Sequence, residues 1–239
     1  MDKKTGCLLC GKPLIYFRRP KKLPCVKCGK EFSARCSCED GHYICDSCHL
    51  KEGVERCLSY CMDCSEADPI AILEGMMADP FVHMHGPEHH VLVGMALITA
   101  CRKAGLDFDL RSALLQMKTR GESYPGGSCG FWGCCGAAVS AGMAMSILTM
   151  ASPLSVQPWH QSNEMTARCL SAIAPLGGPR CCKRNSYTAI LTAVPFLNEM
   201  LGLSIPLAEQ VQCAYSPENK ECRRISCPYY KKESCSQPS

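Results

Sequence analysis

The sequence predicts a mainly α protein: a helical bundle core with an N-terminal zinc-knuckle, ribbon-like cysteine-rich lobe and a cysteine-rich C-terminal tail. Three observations predict it. Apolar residues recur at helical spacing through 65–212, with no alternating strand pattern of useful length. Residues 1–64 hold eleven cysteines and little periodic apolar pattern, so metal must organise them in place of a conventional core. Residues 213–239 return to cysteine, lysine and polar residues without an apolar face. The expected division is a metal-binding domain over 1–64, a helical core carrying the active site over 65–212, and a four-cysteine metal-binding tail over 213–239.

Composition narrows the class. With 239 residues, 46% hydrophobic and 20% charged, the chain is globular and not disordered. Its 22 cysteines exceed what a domain of this size needs as staples. MDKKTG runs into Cys7 without an apolar leader, and no apolar run is long enough to cross a bilayer. A cytoplasmic, reducing setting and metal ligation are therefore expected, in place of disulfides. Residues 1–64 carry 12 Lys/Arg against 8 Asp/Glu. A four-thiolate zinc site is itself negative, so Arg18, Arg19, Lys21 and Lys22 compensate the metal more readily than they read nucleic acid.

In the core, Asp68-Pro69 opens a helix with Ile70, Leu73, Met76 and Met77 on one face. Gly86-Pro87 leads into a second, closed by Lys103 and Gly105. A third spans Asp109 to Arg120 and ends at a glycine. A fourth, Gly136 to Met150, offers alanines for close packing. Asn163 caps a fifth running to Ala174. The sixth begins near Cys181 or Asn185, with a kink or break expected at Pro195.

Metal-ligand spacing dominates the first 64 residues. Cys7-Leu-Leu-Cys10-Gly and Cys25-Val-Lys-Cys28-Gly are two knuckles, each placing two thiolates on one turn. Together they make a tetrahedral four-sulfur site, with zinc the default occupant. Cys36, Cys38, His42, Cys45, Cys48 and His49 add more ligands than one further zinc needs, so crossed pairing stays open. Cys57, Cys61 and Cys64 read C-x3-C-x2-C, which resembles the cluster loop of radical S-adenosylmethionine enzymes in these three residues alone. The tail offers Cys213, Cys222, Cys227-Pro228 and Cys235 for zinc or a [4Fe–4S] cluster.

Three core segments share one design, in which glycine or proline precedes a ligand-type residue and then a helix. They are HMHGPEHH, PGGSCGFWGCCG and GGPRCCKRN. A thiol at a helix start ionises more readily and becomes a better ligand and nucleophile. If the three starts converge, His85, Glu88, His89, His90, Cys129, Cys134, Cys135, Arg180, Cys181, Cys182 and Lys183 form one catalytic site. Gly126, Gly127, Gly178 and Arg184 would admit an anionic substrate or cofactor, and Trp132 beside Phe131 would cap it. Lone Cys101 and Cys169 are expected in the core.

The words MHGPEHH, PGGSCGFWGCCGAA, GGPRCCKRNS and NKECRRISCPYY resemble an uncharacterised family, domain of unknown function 5714, over about residues 67–235. GHYICDSCH and the rest of 7–64 look like that family's cysteine-rich front end. The CCGAA segment is also similar, more weakly, to C-GCAxxG-C-C redox proteins. The first resemblance implies anaerobic bacteria and archaea, where some members carry a methyltransferase domain; no strand and glycine-rich cofactor loop for one is present here. It further implies redox-sensitive metal. The expected function is a metal-dependent enzyme of redox, sulfur-transfer or methyl-transfer chemistry at a Cys/His site. The alternatives are a zinc-finger adaptor or redox sensor binding protein or nucleic acid, and a metal or cluster carrier.

Overall fold

A computed structural model describes residues 6–231. A two-stranded antiparallel hairpin, β1 (Leu14–Pro24) and β2 (Glu31–Cys38), is followed by eight helices. These are α1 (Asp46–Asp63), α2 (Pro69–Met77), α3 (His89–Lys103), α4 (Leu110–Glu122), the single turn α5 (Ser128–Phe131), α6 (Gly136–Leu148), α7 (Gln157–Ile173) and α8 (Cys182–Leu201). The predicted mainly α class is what forms, with the hairpin confined to the cysteine lobe.

Helix α3 is the central pillar. It is apolar on almost every side, so only a fully enclosed position suits it. Residues Val91 to Cys101 are all buried, and α1, α2, α4, α6 and α8 pack around them. Helix α2 starts as expected, with the Asp68 carboxylate accepting from Ile70 N–H at 2.8 Å. Asp109 caps α4 in the same way through Ser112 N–H.

Three expectations differ from the structure. Helix α4 continues through Gly121, whose missing Cβ lets it lie against Val91 and the His90 carbonyl. Helix α7 begins six residues before Asn163, with Pro158 in its first turn. Asn163 instead sits mid-helix, its side chain donating to Trp159 O. Helix α8 runs through Pro195 without a break. Helix α1 is not among the expected helices, and its Val54, Cys57, Leu58 and Cys61 join the same apolar core as α2 and α3.

Candidate metal centres and the adjoining cleft

The two knuckles fold alike. Cys7 N–H donates to Lys12 O and Gly11 N–H to Cys7 O; Cys25 N–H donates to Lys30 O and Gly29 N–H to Cys25 O, all at 2.7–2.9 Å. Gly11 and Gly29 take φ of 74° and 71°, where a Cβ would strain the turn. The knuckles do not share one ion, because they lie at opposite ends of the hairpin: Leu14 pairs with Cys38, and Pro24 with Glu31. Ligands interleave instead. Cys7, Cys10, Cys38 and His42 form one set, and Cys25, Cys28, Cys45 and Cys48 the other, each with its ligand atoms within 4.8 Å of one another. Either set could hold a metal ion.

Their spacing is that of a tetrahedral site. Cys10 and Cys38 Sγ lie 3.7 Å apart, Cys7 Sγ lies 3.8 Å from His42 Nδ1, and Cys28 and Cys45 Sγ are 3.9 Å apart. A tetrahedron with bonds of about 2.3 Å has edges of about 3.8 Å. Without an ion the thiols work against each other. Burial pushes Cys25 up, but the amides of Cys45, Cys28 and Lys27 pull it down overall to about 6. Its neighbours, Cys45 foremost, push Cys48 up to about 12. A divalent cation relieves that repulsion.

The remaining thiols of this half stand apart. Cys36 belongs to neither set. Cys57 and Cys61 are spaced four apart and Cys61 and Cys64 three apart, which is also the spacing of one helix face. Cys57 and Cys61 are buried on α1, Cys61 Sγ is 3.5 Å from Met76 Sδ, and burial raises the Cys61 thiol to about 12. Cys101 and Cys169 are buried in the core, as the sequence suggests.

The three glycine-rich helix starts touch pairwise. First and second meet where His90 Nδ1–H donates to Tyr124 O at 3.1 Å, with the His90 ring over Gly136. Second and third meet where Asn185 Nδ2–H donates to Cys135 Sγ at 3.4 Å. First and third meet where Cys182 N–H donates to His85 Nδ1 at 3.4 Å. They do not open onto a single pocket. Cys129, Cys135, Gly178, Arg180, Arg184 and Asn185 line an open cleft of about 410 Å³. His89 is wholly buried, its Nδ1–H donating to Gly86 O at 3.2 Å; burial, with Lys183 nearby, drives its pKa far down. Lys183 is buried over the Tyr215 ring.

Other members sit outside the cleft. Gly127 takes φ 83° to start α5, and the Cys134 carbonyl accepts from the Tyr124 hydroxyl. Gly126 has open space around it. Trp132 and Phe131 are 65% and 87% exposed, so neither caps the cleft.

Behind the cleft, Cys181, Cys213, Cys222 and Cys227 line a largely enclosed cavity whose solvent-accessible volume is about 20 Å³. That is room for about one water molecule and none for an organic cofactor. No three of these sulfurs lie within 4.8 Å of one another, unlike those of the N-terminal sets. Amides point at them: Arg184 N–H to Cys181 Sγ at 3.5 Å, Tyr215 N–H to Cys213 Sγ at 3.4 Å, and Arg224 N–H to Cys222 Sγ at 3.3 Å. Asn219 Nδ2–H adds a bond to Cys181 Sγ at 3.6 Å. Arg184 lines both this cavity and the cleft, and its guanidinium donates to Gly177 O and Pro179 O. Cys235 lies outside the described residues. Residues that sequence reasoning missed are Asn185 and Asn219, amides with no ligand spacing to mark them, and His83, seen only as the first letter of HMHGPEHH.

Residues 57–230 match the family of unknown function DUF5714. The chain belongs to that family. No curated protein and no solved structure matches it. The family span starts inside α1 and ends just past Cys227, so it takes in both the cleft and the cavity behind it. Among the described residues, no helix is long and apolar enough to cross a membrane.

Proposed function

We propose that this DUF5714 protein is a metal-dependent redox protein of anaerobic metabolism, with a [4Fe–4S] cluster on Cys181, Cys213, Cys222 and Cys227 as its reacting centre. The observation that carries this is the four-thiol cavity with N–H groups aimed at sulfur. Thiolates that bind four different irons stand roughly 6 Å apart, farther than those around one ion, and backbone N–H···S bonds help set a cluster's potential. The cavity admits little solvent, which protects such a cluster. Cleft and cavity share Arg184, so an anionic substrate or cofactor bound against Arg180 and Arg184 would sit within reach of the cluster. It would accept one electron that an external one-electron donor supplies. In this reading the two interleaved N-terminal sets hold zinc and are structural, because four protein ligands leave no open position. A reducing compartment such as the cytoplasm keeps the thiols available.

Protein purified without oxygen tests the reading through iron, sulfide and an ultraviolet–visible spectrum before and after dithionite. About four irons and four sulfides per chain, with a reducible band near about 400 nm, are expected. Cys181→Ser loses them while keeping zinc, and Cys235→Ser retains them. Zinc alone, without acid-labile sulfide, overturns it. That result favours an adaptor docking a protein through the hairpin, where Ile15 and Tyr16 are exposed.

A further inference from the structure

Away from the cluster cavity, a third group of ligand-type side chains meets where the cysteine lobe rests on the helical core. His49 stands in the first turn of α1, His83 in the loop between α2 and α3, and Glu88 at the N-cap of α3. Their ligand atoms lie within 4.8 Å of one another. His83 Nδ1 is 2.5 Å from Glu88 Oε1, and the His49 and His83 rings stack with centroids 3.9 Å apart. Glu88 is wholly buried.

Two further observations say that this is more than an ion pair. His49 Nδ1 and Glu88 Oε2 are buried with no hydrogen-bond partner, although such groups are ordinarily satisfied. The chain also makes room for that oxygen: a Cβ on Gly86 would come within 1.9 Å of Glu88 Oε2. His49 and His83 in turn line a cleft of about 700 Å³ whose walls include Leu8, Leu14, Tyr16 and Ile44.

We infer that His49, His83 and Glu88 bind a divalent first-row transition ion of the zinc or ferrous class, with its open coordination positions facing this cleft. Two imidazoles and a carboxylate suit such ions better than calcium or magnesium, which prefer all-oxygen shells. Three protein ligands leave at least one position for water or a substrate oxygen, whereas the two interleaved sets are closed. The apolar walls fit a ligand that offers one polar oxygen and an apolar body. The site is separate from the cluster reading and stands if that reading fails.

The test counts cobalt. Full-length protein is dialysed against a weak chelator that spares the thiolate sites, incubated with excess Co²⁺, desalted and measured. Wild type should retain one cobalt per chain with weak visible bands and without the intense sulfur-to-cobalt charge transfer of thiolate sites. His83→Ala, whose side chain is 44% exposed and tolerant of change, and Glu88→Gln should each weaken binding by about 10-fold or more. Cys36→Ser, in the same cleft but outside the triad, should leave it intact. Unchanged cobalt in His83→Ala and Glu88→Gln, or no thiolate-free cobalt in the wild type, overturns the inference.

Discussion

At the scale of single residues, the N-terminal thiols show how fixed amides decide where a proton sits. Cys25 and Cys48 belong to one set yet are driven in opposite directions, to about 6 and about 12. Cys25 faces three backbone N–H groups, and Cys48 faces the sulfurs of its neighbours. Cys7 is likewise pushed up by burial and drawn down overall to about 7 by the amides of Cys10 and Leu9 and by His42. A depressed thiol pKa favours the folded, thiolate form above that pKa, and the contribution is lost as pH falls through it. Metal binding follows the same sign, since protons compete for the sulfurs. Metal ions bound in the lobe should therefore be released as pH falls, as read with a chromophoric chelator. Retention of both ions at pH 4 would contradict this account. Cysteine spacing marks these residues as metal-ligand types, and the structure gathers them into two sets that could hold a metal ion. It could not pair them, because pairing depends on where the hairpin ends fall.

At the scale of elements, glycine contacts govern how closely the helices approach. Gly121 faces the His90 carbonyl and the Val91 methyl, at 2.9 and 2.6 Å from an added Cβ, and neither can move without shifting α3. Gly94 faces the end of Met117, a flexible thioether that can swing aside. Gly121→Ala should therefore destabilise the protein by about 1–3 kcal/mol and Gly94→Ala by less, despite the shorter contact at Gly94. Urea unfolding of the metal-loaded proteins checks the order; equal costs would mean that α3 and α4 are not held as described. The sequence invites a different reading of Gly121, since a glycine after Arg120 looks like a helix stop. The start of α7 is obscured for a related reason: Asn163 resembles a cap, while the signal that marks the start is Pro158 in the first turn. Helix α1 is hidden in the sequence because Cys57, Cys61 and Cys64 read as ligands. The four-and-three spacing they share with a helix face was the better clue.

At the scale of the molecule, the cysteine lobe, the helical core and the tail differ in what packs them. The helical core buries its own apolar residues. The lobe has little apolar surface beyond α1, and its two ligand sets could be drawn together by metal ions. The tail is intermediate: Tyr229 reaches Thr188 at 2.8 Å and packs edge-on against Tyr187, Cys213 N–H donates to Tyr229 O, and Arg223 donates to Leu176 O. His85 ties it to the first helix start through Asn219 and Glu221, at 3.1 and 3.0 Å. Tyr215 is also buried against the core. A cluster bridging Cys181 to Cys213, Cys222 and Cys227, as proposed above, should carry part of the attachment as well. Loss of that group ought to free the tail while the core stays folded, which departs from a single two-state transition. Cys222→Ser should then be cut by trypsin at Lys220, Arg223 or Arg224 about tenfold faster than the loaded wild type, because local opening controls such cleavage. Its far-ultraviolet helical signal should be unchanged. Equal cleavage rates would show that the tyrosine and histidine contacts hold the tail unaided, and a lost helical signal would show that the core depends on the tail.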